Sequence, residues 1–244
     1  MIERRKNIAR RKLLQYGTAA IGSYAVLTSM GNKINAAEST DKLVASAGNK
    51  KFSNLSPDQA ISELVQGNQR FIRQRSRNPN QSRLRLLETS DSQSPFACIL
   101  TCSDSRVPPE IIFDRGLGDL FVVRDAGNIA TSGEIGSLEY GALVLGAKAV
   151  VVMGHQNCGA VKAAIELGST SGFIGSIINE ILPAIQISRS KEGDLVYNAI
   201  IANIQLQKQK VQTSPVISKL TKENKIKVVG AYYNLENGRV EILE

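Results

Sequence analysis

At 244 residues and 26.4 kDa the chain has the length of one domain with accessory segments, and 42% hydrophobic residues are ample for a core. The net charge of +8 is unevenly placed: seven basic residues against Glu3 put six of those charges in residues 1–37 and leave +2 to the rest. A body so nearly neutral makes no case for a nucleic-acid partner, and none is expected.

The N-terminus is laid out as an export signal over residues 1–37. A basic region, RRKNIARRK, precedes a mildly apolar stretch, LLQYGTAAIGSYAVLTSM, and then small residues, INAAEST. Gly, Ser, Thr and Gln inside the short apolar stretch argue against a membrane span. ARRKLL, Ala9 to Leu14, resembles the twin-arginine motif, whose pathway exports folded proteins. Cleavage is expected after Ala37 or one residue earlier. The expected destination is the periplasm or an equivalent extracytoplasmic space, the thylakoid lumen included. An uncleaved amphipathic anchor or a disordered basic tail is the competing reading. Export would normally pair cysteines, yet the chain has three, an odd number. A route for folded protein resolves this, because a metal can cap the thiolates before export.

Residues 38–52 are small and polar and read as a linker, leaving 53–244 as the folded domain. A helix is expected across LSPDQAISELVQGNQRFIRQR, with Ser56 as cap, Pro57 in the first turn and Gln59 at the capping-box position. The basic cluster from Arg70 to Arg85 reads as the solvated face of this helix and its following loop. Three apolar runs, 95–101, 119–124 and 147–154, suit strands buried on both faces. Helical patterns cover SGEIGSLEYGALVLG, CGAVKAAIEL, 173–189, 194–211 and a short segment from Ser214. The final stretch, KIKVVGAYYNLENGRVEILE, reads as two strands joined at Asn237-Gly238. Alternating strands and helices predict an α/β fold: a parallel core sheet, flanking helices and an antiparallel C-terminal edge hairpin. No internal repeat is evident.

This layout puts Cys102 just past one strand, and His155, the only histidine, with Cys158 just past another. Sites in open parallel sheets form outside the carboxyl ends of strands, so the three converge if those strands are neighbours. Two thiolates and an imidazole suit zinc, and three protein ligands leave a position open, as in catalytic sites. Cys98 lies inside its strand and reads as core. A cysteine nucleophile with a histidine base is the chemical rival, but it leaves the second cysteine without a role. In CSDSR an extended backbone would point Cys102, Asp104 and Arg106 the same way. Asp104 could then accept a proton from a metal-bound water, with Arg106 holding it ionised. A plain strand-end salt bridge is the bland alternative.

From about Leu55 to Leu243 the chain resembles the β-class carbonic anhydrases. The matching stretches are LVQGNQRF, CSDSRVPPEIIFDRGLGDLFVVRDAGN, GSLEYGALVLGAKAVVVMGHQNCGAVKAA and VVGAYYNLENGRV. The resemblance implies reversible hydration of carbon dioxide to bicarbonate and a proton. It implies one Zn2+ per chain, held by Cys102, His155 and Cys158, with zinc-bound hydroxide oriented by the Asp104–Arg106 dyad. In some members that Asp binds zinc instead and closes the site. It further implies that Gln93 contacts substrate and that Phe121 and Tyr140 line an apolar carbon dioxide pocket, as in the plant-like branch. That pocket forms at a dimer interface, so a homodimer or higher homo-oligomer is expected.

Two features depart from the family pattern. Asp125 stands where Asn is common, and no second histidine exists to carry the proton away. Two other readings remain at this stage: a zinc- or bicarbonate-binding sensor or subunit, and a hydrolase of carbonyl sulfide or carbon disulfide.

Overall fold

The structure, a computed structural model, describes Phe52, residues 54–168 and residues 170–243. The expected export signal, and all of the expected linker except Phe52, lie outside the described residues. Phe52 itself belongs to the packed domain: it is buried, with its ring 4.7 Å from that of Phe96.

Five strands form one sheet: β1 (Ala97–Cys102), β2 (Leu120–Asp125), β3 (Ala149–His155), β4 (Lys227–Tyr233) and β5 (Val240–Leu243). Their order is β2-β1-β3-β4-β5, parallel throughout except for the antiparallel β4–β5 pair. Each of the first three strands lies one or two residues later in sequence than its apolar run suggested. Every residue of β1 and β3 is buried, which is why their sequences are continuous apolar runs rather than alternating ones.

The helices are α1 (Pro57–Ile72), α2 (Arg83–Glu88), α3 (Pro109–Ile112), α4 (Ser132–Glu139), α5 (Gly159–Leu167), α6 (Gly172–Ser188), α7 (Leu195–Gln212) and α8 (Pro215–Lys222). Alternate strand residues divide the core. Ala97, Ile99, Val151, Met153, Val229 and Ala231 pack with Ala60 and Leu64 of α1. Cys98, Leu100, Val150, Val152 and Val228 face the other way, against Leu138, Val211, Ile217 and Leu220. A third cluster packs Cys102 and Cys158 with apolar residues of α5, α6 and α7. Burial places the most buried of these side chains at about 1.5–3 kcal/mol each in transfer free energy.

Several local expectations hold and others change. The capping box at Ser56 and Gln59 is present, with Pro57 in the first turn of α1. The helix expected over 132–146 stops being α-helical at Glu139 and widens into a π turn, Tyr140–Val144. Gly141 in that turn lies hard against β1, where a Cβ would stand 2.4 Å from the Cys98 sulfur. α2 and α3 were not anticipated, because six and four residues are too few to show a helical period. The C-terminal hairpin is real, but its strands are joined by six residues, 234–239, rather than by a two-residue turn. Asn234 ties that loop together by accepting from the backbone of Glu236 and Asn237. Buried Asn68 of α1 anchors it to the body, donating to the carbonyls of Ile112 and Gly238 and accepting from Val240 N–H. The basic cluster is also less uniform than a solvated face. Arg70 pairs with buried Asp114, and buried Arg85 donates to the Leu117 carbonyl, while Arg73, Arg75, Arg77 and Arg83 are exposed.

Among the described residues, no helix is long and apolar enough to cross a membrane.

Candidate metal centre

β1 and β3 are neighbours, with Thr101 paired to Met153, so the chain ends both strands side by side. From β1 it leads first to β2 on one side and then to β3 on the other. The site therefore sits where the strand order reverses, outside the carboxyl ends. Cys102 and His155 are the last residues of their strands, one position earlier in the element than expected. Cys158 is the N-cap residue of α5.

The ligand-type atoms of Cys102, His155 and Cys158 all lie within 4.8 Å of one another, and all three residues are buried. The two sulfurs are 4.0 Å apart. Two thiolates at about 2.3 Å from a tetrahedral ion stand about 3.8 Å apart, so the pair already has metal-site spacing. Imidazole Nδ1 of His155 lies 2.9 Å from the Gln156 carbonyl, which assigns the proton to Nδ1 and leaves Nε2 as the lone-pair nitrogen. That Nε2 is buried with no hydrogen-bond partner. A buried acceptor without a partner costs about 1–3 kcal/mol, and a metal at the centre of this trio removes that cost. The residues fit zinc: two soft sulfurs and one imidazole nitrogen, with no fourth ligand in the cluster among the described residues.

The electrostatics agree. Cys158 and Cys102 share a hydrogen bond between their sulfurs, and Gly127 N–H donates to the Cys102 sulfur at 3.2 Å. These donors pull the Cys102 thiol well below its ordinary range. Cys158 is pushed up, because it holds the shared proton and because it is buried. A metal held there would displace that proton. Cys98 behaves differently: burial alone pushes its thiol up to about 12, so it is an inert core residue, as its strand position suggested.

Asp104 and Arg106 form a bidentate pair. Arg106 Nε and its backbone N–H donate to Asp104 Oδ1 at 3.0 and 2.9 Å, and a terminal guanidinium nitrogen donates to Oδ2 at 2.8 Å. The Arg106 guanidinium beside it holds the Asp104 carboxyl well below the usual carboxylate range. Oδ2 also stands 3.8 Å from His155 Nε2, so the carboxylate faces the metal position. The pair is not made by extended alternation, as the sequence spacing suggested. The chain turns here: Val107 N–H donates to the Asp104 carbonyl, and the side chain of Asp104 accepts from the backbone two residues on.

Three contributors were missed. Arg124 of β2 donates twice to the Cys102 carbonyl and once to the Asp104 carbonyl, clamping the loop that carries the dyad. Gly127 supplies the N–H to Cys102, and Gln156 orients the imidazole. An arginine among the apolar residues of β2 was a visible signal, whereas backbone donors and acceptors have no signature in side-chain identity. Asp125, the departure noted in VVRDAGN, accepts from Ala126 N–H, and burial raises its carboxyl above the ordinary value.

The remaining expected site residues are not at this cluster. Phe121 pairs with Cys98, four residues before Cys102, which is about 13 Å along the strand. Its ring lies 6.2 Å from that of Tyr140, which is 48% exposed. Gln93 is exposed, in the loop before β1, and lines a shallow depression with Thr89 and Leu117 at the opposite end of that strand.

Comparison with known proteins decides the family. The model of the family described as carbonic anhydrase matches residues 97–240. That span contains the whole cluster and its dyad. The chain belongs to the β-class carbonic anhydrase family. It is an enzyme of that family. A carbonic anhydrase of Mycolicibacterium smegmatis is 36% identical over 200 residues, covering 78% of this chain and 94% of that one. The solved structure of the β-carbonic anhydrase CcaA is similar with a TM-score of 0.61 and 30% identity, over 75% of this chain and 95% of that one. One of two tetrameric β-carbonic anhydrases from Sordaria macrospora shares the fold, with a TM-score of 0.60, 23% identity and coverage of 65% and 85%.

Proposed function

We propose that the protein catalyses reversible hydration of carbon dioxide to bicarbonate and a proton at the Cys102–His155–Cys158 centre. The observation that carries this is the buried, unpartnered Nε2 of His155, enclosed with two sulfurs and faced by an ionised carboxylate. Those three residues would hold one Zn2+ per chain, which when bound would supply a water acidic enough to be deprotonated near neutral pH.

The chain's own residues do the rest. Cys102 and Cys158 bring negative charge into a buried place, and the Gln156 carbonyl, 2.9 Å from His155 Nδ1, orients the imidazole with Nε2 toward the two sulfurs. Asp104 is ionised throughout the physiological range and offers Oδ2 as an acceptor that orients the attacking water. Arg106 fixes the plane of that carboxylate by two parallel hydrogen bonds, and Arg124 fixes the backbone beneath it. With a single histidine in the chain, the released proton leaves through Asp, Tyr, water or buffer rather than a second imidazole.

Gln93, Phe121 and Tyr140 serve the substrate in this reading, but they lie too far from their own cluster to do so. A second copy of the chain completes the pocket. Leu84, Leu86 and Leu87 of α2, the helix that precedes the Gln93 loop in sequence, are 66%, 57% and 64% exposed, an apolar surface suited to burial against that copy. A homodimer or higher homo-oligomer follows. The three-part layout of residues 1–37 supports export, by the twin-arginine route, to the periplasm or an equivalent space.

The test is stopped-flow carbon dioxide hydration with zinc content and oligomeric state measured on the same sample. One zinc per chain with fast hydration is expected. A zinc-loaded dimer without hydration above neutral pH would overturn the enzyme reading in favour of a sensor or a different small substrate.

A further inference from the structure

The sulfur of Cys102 accepts a backbone hydrogen bond from Gly127, which lies in the turn that follows β2. Ala126–Asn128 follow β2 as a single 3-10 turn in which Gly127 has φ +78° and Asn128 has φ +48°, and the chain is extended again at Ile129. Both lie in the left-handed region, which costs a non-glycine residue free energy unless the surroundings impose it. Gly127 has no room for a side chain either: a Cβ would stand 2.7 Å from Ile181 of α6.

Two amides on α7 impose the turn. Asn203 and Gln207 are four residues apart, so they share one helix face, and both are completely or nearly completely buried. Asn203 Nδ2 donates to the Gly127 carbonyl at 2.8 Å. Ala130 N–H donates to Gln207 Oε1 at 2.9 Å. Gln207 Nε2 donates to Asn203 Oδ1 at 3.0 Å and to the Glu180 carbonyl of α6 at 3.1 Å. Backbone partners settle the orientation of both amides, so the network has one hydrogen-bonding arrangement. It grips the Gly127–Ala130 turn at both ends and ties it to two long helices.

We infer that Asn203 and Gln207 are positioning residues for the metal centre. They hold the Gly127 N–H against the Cys102 sulfur. Neither touches a ligand atom; they act through the turn. The hydrogen bond draws charge from the thiolate and aims its lone pairs, which tunes both how tightly Cys102 holds a metal and how much charge it donates. A polar pair in an otherwise apolar helix face is costly to bury unless it is satisfied, and here every contact it makes serves this turn or the pair itself, apart from the single bond to Glu180. The inference rests on the proposed metal site.

The test measures the zinc dissociation constant by chelator competition in wild type, Asn203→Ala and the near-isosteric Gln207→Met. Each is also loaded with cobalt to record the thiolate-to-metal charge-transfer band. A rise of ~10–100-fold in the zinc dissociation constant is expected for both variants, with the band moved to longer wavelength. Val211→Ala is the control, a buried residue of the same helix that packs in a different cluster. It is expected to lower thermal stability while leaving affinity and band as in wild type. Variants that bind zinc as tightly as wild type with an unmoved band overturn the inference. So does a control that shifts the band as far as they do. A wild type that binds no zinc overturns the metal site itself, which separates the two failures.

Discussion

Asp104→Asn separates the carboxylate's role from the metal's. The substitution keeps size and shape, so zinc content should stay at one per chain, because Asp104 is not one of the three clustered ligands. Hydrogen bonding changes in a way the structure specifies. Oδ1 accepts from Arg106 Nε and from its backbone N–H, so the amide oxygen settles there. The NH2 group then replaces Oδ2, the atom 3.8 Å from His155 Nε2 and 2.8 Å from a second Arg106 nitrogen. A donor therefore stands where the site offered an acceptor, and it also opposes an Arg106 N–H. Positioned proton acceptance is worth ~10²–10⁴ in rate, and a loss of ~10²–10³ in kcat/KM is expected, about 2.7–4 kcal/mol of barrier. Stopped-flow hydration between pH 6 and 9, with zinc content on the same sample, is the assay. Because Arg106 depresses the Asp104 pKa, the carboxylate is ionised across that window, and the loss should be the same at every pH within it. A fully zinc-loaded variant within about threefold of wild type would refute the dyad's role. A loss confined to the alkaline end, with the variant equal to wild type at pH 6, would refute its ionisation across the window.

Replacing Cys102, His155 or Cys158 singly with Ala should remove bound zinc, and elemental analysis that finds one zinc per chain would strike that residue from the ligand set. Turnover should depend on buffer, because no second histidine exists to carry the proton; equal rates in small and bulky buffers at one pH would end that argument. Asn68→Ala removes three hydrogen bonds and leaves two carbonyls and an N–H without that partner, so stability should fall by about 3 kcal/mol in urea unfolding, with zinc content unchanged. A fall below 1 kcal/mol would show that water replaces the side chain.

Much of this protein was legible in the residues themselves. Apolar runs mark strands by a local property, so β1, β2 and β3 were found to within two residues, but only β1 and β3 are buried on both faces as expected; β2 is the edge strand, and none of its residues is fully buried. A chain with one histidine and three cysteines that puts three of those four at strand ends advertises a metal trio. Ser56, Pro57 and Gln59 announce the start of α1 for the same reason: the signal and the bonds it makes lie within four residues.

What the tertiary structure alone decided is everything that depends on which distant groups meet. Strand order put Cys102 beside His155, whereas the register of β2 and the loop before β1 put Phe121 and Gln93 away from that centre. The turn after Cys102 made the Asp104–Arg106 pair by bending, where spacing alone suggested an extended run. One expected helix is a helix and a π turn, and the π turn brings Gly141 against Cys98 with no room for a side chain. Gly127 meets Cys102 across 25 residues, and Asn203 meets Gly127 across 76. Backbone donors look alike at every position in a sequence, and only packing selects the one that reaches the sulfur.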